Sequence, residues 1–103
     1  MLRQGVIYYP QLALKEKIEG KVYALVNVDE KGLPGQIRII NREIKQKYIL
    51  NKYGEWKDIT HIFDQATIES LAESKWRPVF EEGKPISSWV TIPFQYTVTD
   101  VSH

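Results

Sequence analysis

Residues able to do acid–base or metal chemistry are sparse in this chain. His61 and His103 are the only histidines, and there is no cysteine. His61 stands beside Thr60 and near Asp58, a polar cluster of the kind that precedes a helix, and no second histidine lies at metal-ligand spacing. The lack of cysteine excludes disulfides, thiol chemistry and cysteine-ligated zinc, while leaving the compartment open. Carboxylates occur in turn-like stretches, Asp29 and Glu30 ahead of Gly32, and Glu81 and Glu82 ahead of Gly83. Nothing in their placement favours a paired-carboxylate hydrolase. The stretch Gly-Leu-Pro-Gly (32–35) has neither the spacing of a dinucleotide loop nor the lysine of a phosphate-binding loop. The pattern points away from an enzyme, a bound metal or a cofactor.

A different surface stands out. In residues 88–98, Val90, Ile92, Phe94, Tyr96 and Val98 alternate with Trp89, Thr91, Gln95 and Thr97. A period of two is the mark of a strand with one face on a core. Pro93 interrupts it, and a proline without an N–H is tolerated mainly on edge strands or at bulges. An edge strand offers unpaired backbone groups, which are either a liability or a rail for another extended segment.

The rest of the sequence must build a scaffold for that strand. At 103 residues, 43% hydrophobic and 26% charged, the chain is sized for one soluble globular domain, residues 1–103, with a modest core. Net charge is +1, and lysines alternate with glutamates in KEKIEGK and EEGK, so no basic patch for nucleic acid is evident. No apolar run approaches the roughly 20 residues of a membrane span, and no signal peptide is visible. The stretch is therefore read as soluble, either a cytosolic protein or a piece of a longer chain.

Taken in order, residues 1–9 end in an apolar cluster that suits a short strand or an extended arm. Tyr8 and Tyr9, beside Pro10, suit either packing or recognition, and packing is the plainer reading. Pro10 fits the first position of a helix over 11–19, with Leu14 and Ile18 four apart and Gly20 as its stop. Val22, Ala24, Val26 and Val28 alternate into a turn at Gly32, and Ile37 and Ile39 return, which predicts a β-hairpin. Residues 41–62 are expected to form an extended connection, an excursion from the core with a second small hairpin turning at Gly54. Asp64 is read as an N-cap, and Phe63 and Ile68 as a hydrophobic staple. Ile68, Leu71, Ala72 and Trp76 then mark the buried face of a second helix closed by Pro78. The expected order is helix–strand–strand–helix–strand, an α+β fold with a three-stranded antiparallel sheet and two helices on one face.

In this order, over a core of about residues 8–98, the motifs resemble the C-terminal domain of the TonB energy transducer family. The resemblance runs from Tyr9-Pro10 with Ala13, through Glu19-Gly20-Lys21-Val22 and Val26-Asn27-Val28-Asp29 with Gly32, to Ile37 and Ile39. It continues with Phe63-Asp64-Gln65-Ala66, Trp76-Arg77-Pro78, Gly83-Lys84-Pro85 and Trp89-Val90-Thr91-Ile92-Pro93-Phe94. Pro34 departs from the family's β-branched residue and suggests a late start for the second strand, and residues 41–62 are longer than the usual connection.

The resemblance implies a periplasmic domain of a bacterial protein anchored in the inner membrane by an N-terminal helix and reaching across the periplasm through a proline-rich linker. Such domains bind the TonB box, a short extended segment of outer-membrane transporters that import siderophores or other nutrients, by adding it beside the last strand. A proton-channel complex in the inner membrane supplies the energy. The candidate partner-binding residues are Trp89, Val90, Thr91, Ile92, Pro93, Phe94, Gln95, Tyr96, Thr97 and Val98, with Tyr9 and Pro10 carried over from the family motif. Ile92 and Phe94 are expected to face inward. An open edge also permits a homodimer, so a non-catalytic assembly module in a larger envelope protein is the alternative.

Overall fold

The computed structural model describes residues 7–98. The readings of residues 1–6 as a strand or arm, and of His103, lie outside that range. Elements follow in the order α1 (Gln11–Lys15), β1 (Gly20–Val28), β2 (Pro34–Ile44), β3 (Tyr48–Leu50), β4 (Trp56–Asp58), α2 (Asp64–Ala72), β5 (Val79–Glu81), β6 (Lys84–Ile86) and β7 (Ser88–Tyr96). The expected helix–strand–strand–helix–strand order is thus interrupted by two small ribbons, β3–β4 before α2 and β5–β6 after it. The main sheet has the antiparallel order β2-β1-β7.

β1 occupies the centre because it is apolar on one face without a break. Val22, Ala24, Val26 and Val28 are all buried, and they face Ile37, Ile39 and Ile44 of β2 and Val90, Ile92, Phe94 and Tyr96 of β7 in one cluster. The β1–β2 turn is set by Asp29, whose Oδ1 accepts the backbone N–H groups of Lys31 and Leu33, each at 2.8 Å. Gly32 takes the expected left-handed conformation, φ +80°. A Cβ there would also lie 2.3 Å from the Trp76 carbonyl oxygen, so the turn is packed on the segment following α2 as well as bent.

β2 starts at Pro34 itself and runs to Ile44, earlier and longer than expected. Proline is tolerated as the first residue of an edge strand, because no ladder donor is needed there. The register slips between Tyr23 and Ala24, where Asn41 and Ile39 are their partners and Ile40 is the extra residue. This bulge flips the parity of the strand. Ile40 is left half exposed, while Arg42, opposite buried Val22, turns toward the helices.

Both helices differ from the periodicity reading. α1 ends at Lys15, followed by Lys17 in the left-handed region (φ 55°), and Gly20 opens β1 and does not stop a helix. Pro10 precedes the helix, and its carbonyl accepts the Leu14 N–H at 2.9 Å. In α2 the N-cap position belongs to Phe63, Asp64 makes no capping bond, and the helix closes at Ala72, well before Pro78. The buried face is Phe63, Ala66, Thr67, Ser70, Leu71 and Ser74, not Ile68 and Ala72. Trp76 is buried as expected.

The segment 41–62 does contain the second hairpin, β3–β4 with Gly54 in its turn (φ +80°), but it is not an excursion from the core. Its first residues extend β2, and Ile44, Ile49 and Ile59 are all buried in the central cluster.

Candidate partner-docking edge

β7 pairs with β1 over all nine residues, from Ser88 opposite Val28 to Tyr96 opposite Gly20, without a slip. On its other side no strand is paired among the described residues. The direction of its backbone groups follows from the ladder. In an antiparallel pair, a residue's N–H and C=O point together to one neighbour, and successive residues alternate. Next to β1, the Glu19 carbonyl accepts the N–H of Lys45 at 3.3 Å, so odd-numbered residues on this line serve β2 and even-numbered ones serve β7. Val90, Ile92, Phe94 and Tyr96 therefore pair with β1. Trp89, Thr91, Pro93 and Gln95 present their backbone groups to the open side. Pro93 thus sits where its missing N–H costs the sheet nothing.

Side chains divide along the same parity. Trp89, Thr91, Pro93 and Gln95 are exposed on the outer face, where they lie across from Asn27, Leu25, Tyr23 and Lys21. Val90 and Ile92 are half-buried, and Phe94 and Tyr96 are buried. The last two can meet a partner only through their surroundings. Thr97 and Val98, placed in the strand by the sequence reading, follow it and lie outside the β1 ladder.

The end of β7 is fixed by an aromatic cluster. Phe63 and Tyr96 stack with ring centroids 4.2 Å apart, and Tyr9 meets both edge-on at 5.8 and 5.6 Å. The Tyr9 hydroxyl donates to the Ile18 carbonyl. Tyr9 accordingly packs, whereas Tyr8 is more exposed and donates to Glu73 Oε1 at 2.7 Å. Thr67 donates its only hydroxyl proton to the Phe63 carbonyl, which leaves the Tyr96 hydroxyl as donor to Thr67 Oγ1 at 2.8 Å. Burial pushes the Tyr96 hydroxyl up to about 12.

One residue at this edge was not singled out from the sequence. Glu19 accepts the Val98 N–H at 2.9 Å through Oε2 and the Lys45 ammonium at 3.1 Å through Oε1. The Val98 N–H and then Lys45 hold its carboxyl below the usual carboxylate range. Glu19 therefore ties the chain leaving β7 to the start of β1, beside a cleft of about 240 Å³ that Lys21, Gln95 and Thr97 also line. A glutamate before Gly20 carries no sequence mark of such a contact.

The residues considered for chemistry do not converge. His61 is exposed, with Nδ1 3.2 Å from an Asp64 oxygen that Arg42 also holds. No cluster of three metal-binding side chains occurs among the described residues. No helix among them is long and apolar enough to cross a membrane.

The chain shares its fold with a solved TonB C-terminal domain. One solved structure it resembles is the TonB C-terminal domain of Pseudomonas aeruginosa, determined by solution NMR, with a TM-score of 0.66 and 20% sequence identity. The match covers 98% of this chain and 87% of the other. No protein-family model and no curated protein sequence matches the chain.

Proposed function

We propose that this chain is a non-catalytic, periplasmic protein-binding domain whose β7 edge docks the TonB box of outer-membrane transporters. In this role it couples them to an inner-membrane proton-channel complex. The observation that carries the reading is an unbroken nine-residue strand with one side unpaired among the described residues. A segment added there would draw affinity from backbone bonds at Trp89, Thr91 and Gln95 and selectivity from the exposed outer-face side chains. It would find no donor at Pro93, so its pairing would fall into two parts on either side of that residue. Tyr9 and Pro10 would act by holding the far end of the strand rather than by touching the partner. The fold shared with the TonB C-terminal domain supports the same reading.

The test is an NMR titration of the isotope-labelled domain with a panel of TonB-box peptides. Saturable shifts concentrated in residues 88–96 are expected. A silent panel, with the domain monomeric and folded, would sink transporter docking. Amide shifts in the same strand that depend on protein concentration alone would favour self-association through the edge.

A further inference from the structure

We propose that the docking edge extends beyond β7 and is framed by two prolines, so that a partner segment of about five residues seats on the backbone of Ser87, Trp89 and Thr91. This rests on the transporter-docking reading and gives it a register. β5 and β6 close as a hairpin through Glu82 (φ 51°) and Gly83 (φ 79°), with Glu81 opposite Lys84, Phe80 opposite Pro85 and Val79 opposite Ile86. In a two-residue hairpin the residues flanking the turn exchange both backbone bonds. Lys84 and Ile86 therefore turn their N–H and C=O groups to β5, and Pro85 turns its carbonyl away. The same parity holds in β7, where even-numbered residues face β1.

Ser87, which joins β6 to β7, does not break the pleat. Exposure alternates without interruption from Pro85 to Tyr96. Asn27 Nδ2 donates to Ser87 Oγ at 3.2 Å, and Asn27 lies opposite Trp89, so Ser87 and Trp89 share the outer face. β5 and β1 thus lie end to end along one side of a continuous strand, and the other side is unpaired among the described residues. The N–H donors on that side are Ser87, Trp89, Thr91 and Gln95. Pro85 and Pro93 offer none. Three donors in succession lie between the prolines, and Gln95 follows beyond them.

The frame also selects partner chemistry. No charged residue lies between Lys84 and Asp100 in the sequence, and Val90 and Ile92 are half-buried on the inner face. An added segment covers those two with apolar side chains of its own, and a charged one finds no opposite charge on the strand. Whichever way the segment runs, its pairing groups recur at every second residue. A proline at one of those positions breaks the pairing, and a proline between them does not.

The experiment is amide hydrogen exchange by NMR on the labelled full chain, free and saturated with the tightest-binding TonB-box peptide of the panel. Exchange at Ser87, Trp89 and Thr91 should slow about tenfold or more, and at Gln95 by less than at any of the three. Ser87→Pro should weaken the peptide about 3–10-fold, whereas Ser87→Ala, which keeps the N–H, should bind as the parent chain does. Near-UV circular dichroism checks the fold of both variants. An unslowed Ser87, a Gln95 slowed as much as Thr91, or a Ser87→Ala as weak as Ser87→Pro would overturn the register and leave transporter docking standing. A panel in which no peptide slows any of these amides would overturn both. Slowing of the same amides by protein concentration alone would give the frame to a second copy and overturn it for a transporter segment.

Discussion

Arg42 and Asp64 form a two-pronged ion pair between strand and helix, with Nε 2.8 Å from Oδ1 and Nη2 on Oδ2. It joins β2 to the first turn of α2, and both side chains are about three-quarters covered. Asp64 at that turn also suits the positive end of the helix. Removing either partner should cost about 1–2 kcal/mol, since a paired group would be left partly buried. A double-mutant cycle of Arg42→Met and Asp64→Asn, read by urea denaturation, should return a coupling of about 1 kcal/mol. A coupling near zero would show that the pair is solvated and contributes no net stability.

Pro93 supplies a template for disabling the edge without unfolding the sheet. Thr91→Pro would delete another outward N–H and leave the β1 ladder intact, because Thr91 shares the parity of Pro93. The thermal midpoint should move by only a few degrees, and affinity for a bound peptide should fall about 3–10-fold. Thr91→Pro that unfolds the domain would mean that the outward assignment of these groups is wrong.

The two faces of β7 should respond very differently to truncation. Phe94, at 4% exposure, is in the core, so Phe94→Ala should destabilise by about 3–5 kcal/mol. Trp89→Ala, on the exposed face, should shift stability by no more than about 1 kcal/mol. Equal losses in chemical denaturation would contradict the alternation.

Alkaline pH should loosen the aromatic cluster. The Tyr96 hydroxyl is raised from 10.0 to about 12 by burial, so its neutral form is favoured in the folded state. That contribution is fully present below pH 10 and is lost as pH rises toward about 12. Unfolding free energy should therefore fall across this window, and Tyr96→Phe should flatten the fall while itself costing about 1 kcal/mol through the Thr67 bond. A slope unchanged in Tyr96→Phe would assign the alkaline loss to other groups.

What could be read from the sequence, and what could not, divides along physical lines. β1, the Gly32 turn and β7 were legible because each buries one face of a strand, and alternation reports that directly. Pro93 made the edge legible as well. The buried face of α2 was not, because Thr67, Ser70 and Ser74 fill it. Thr67 and Ser74 donate to the carbonyls four residues back, so small polar side chains pack there like small apolar ones. Hydropathy then drew attention to Ile68 and Ala72. Arg42 was hidden by the bulge at Ile40, since which face a residue takes beyond a bulge depends on the partner strand. The contact of Glu19 with Val98 joins chain segments far apart in sequence and leaves no local trace.

The placement of β1 between β2 and β7 has a consequence for the order in which the protein can assemble. β2 follows β1 closely and can fold back on it as a local hairpin, but sixty residues separate Val28 from its other partner, Ser88. Closing so long a span is slow compared with hairpin formation. During synthesis the apolar central strand must therefore wait, one side unpaired, until almost the whole domain has left the ribosome. Among the described strands the last to arrive is the one that seals the core, and it is the strand whose own far side has no partner among the described residues.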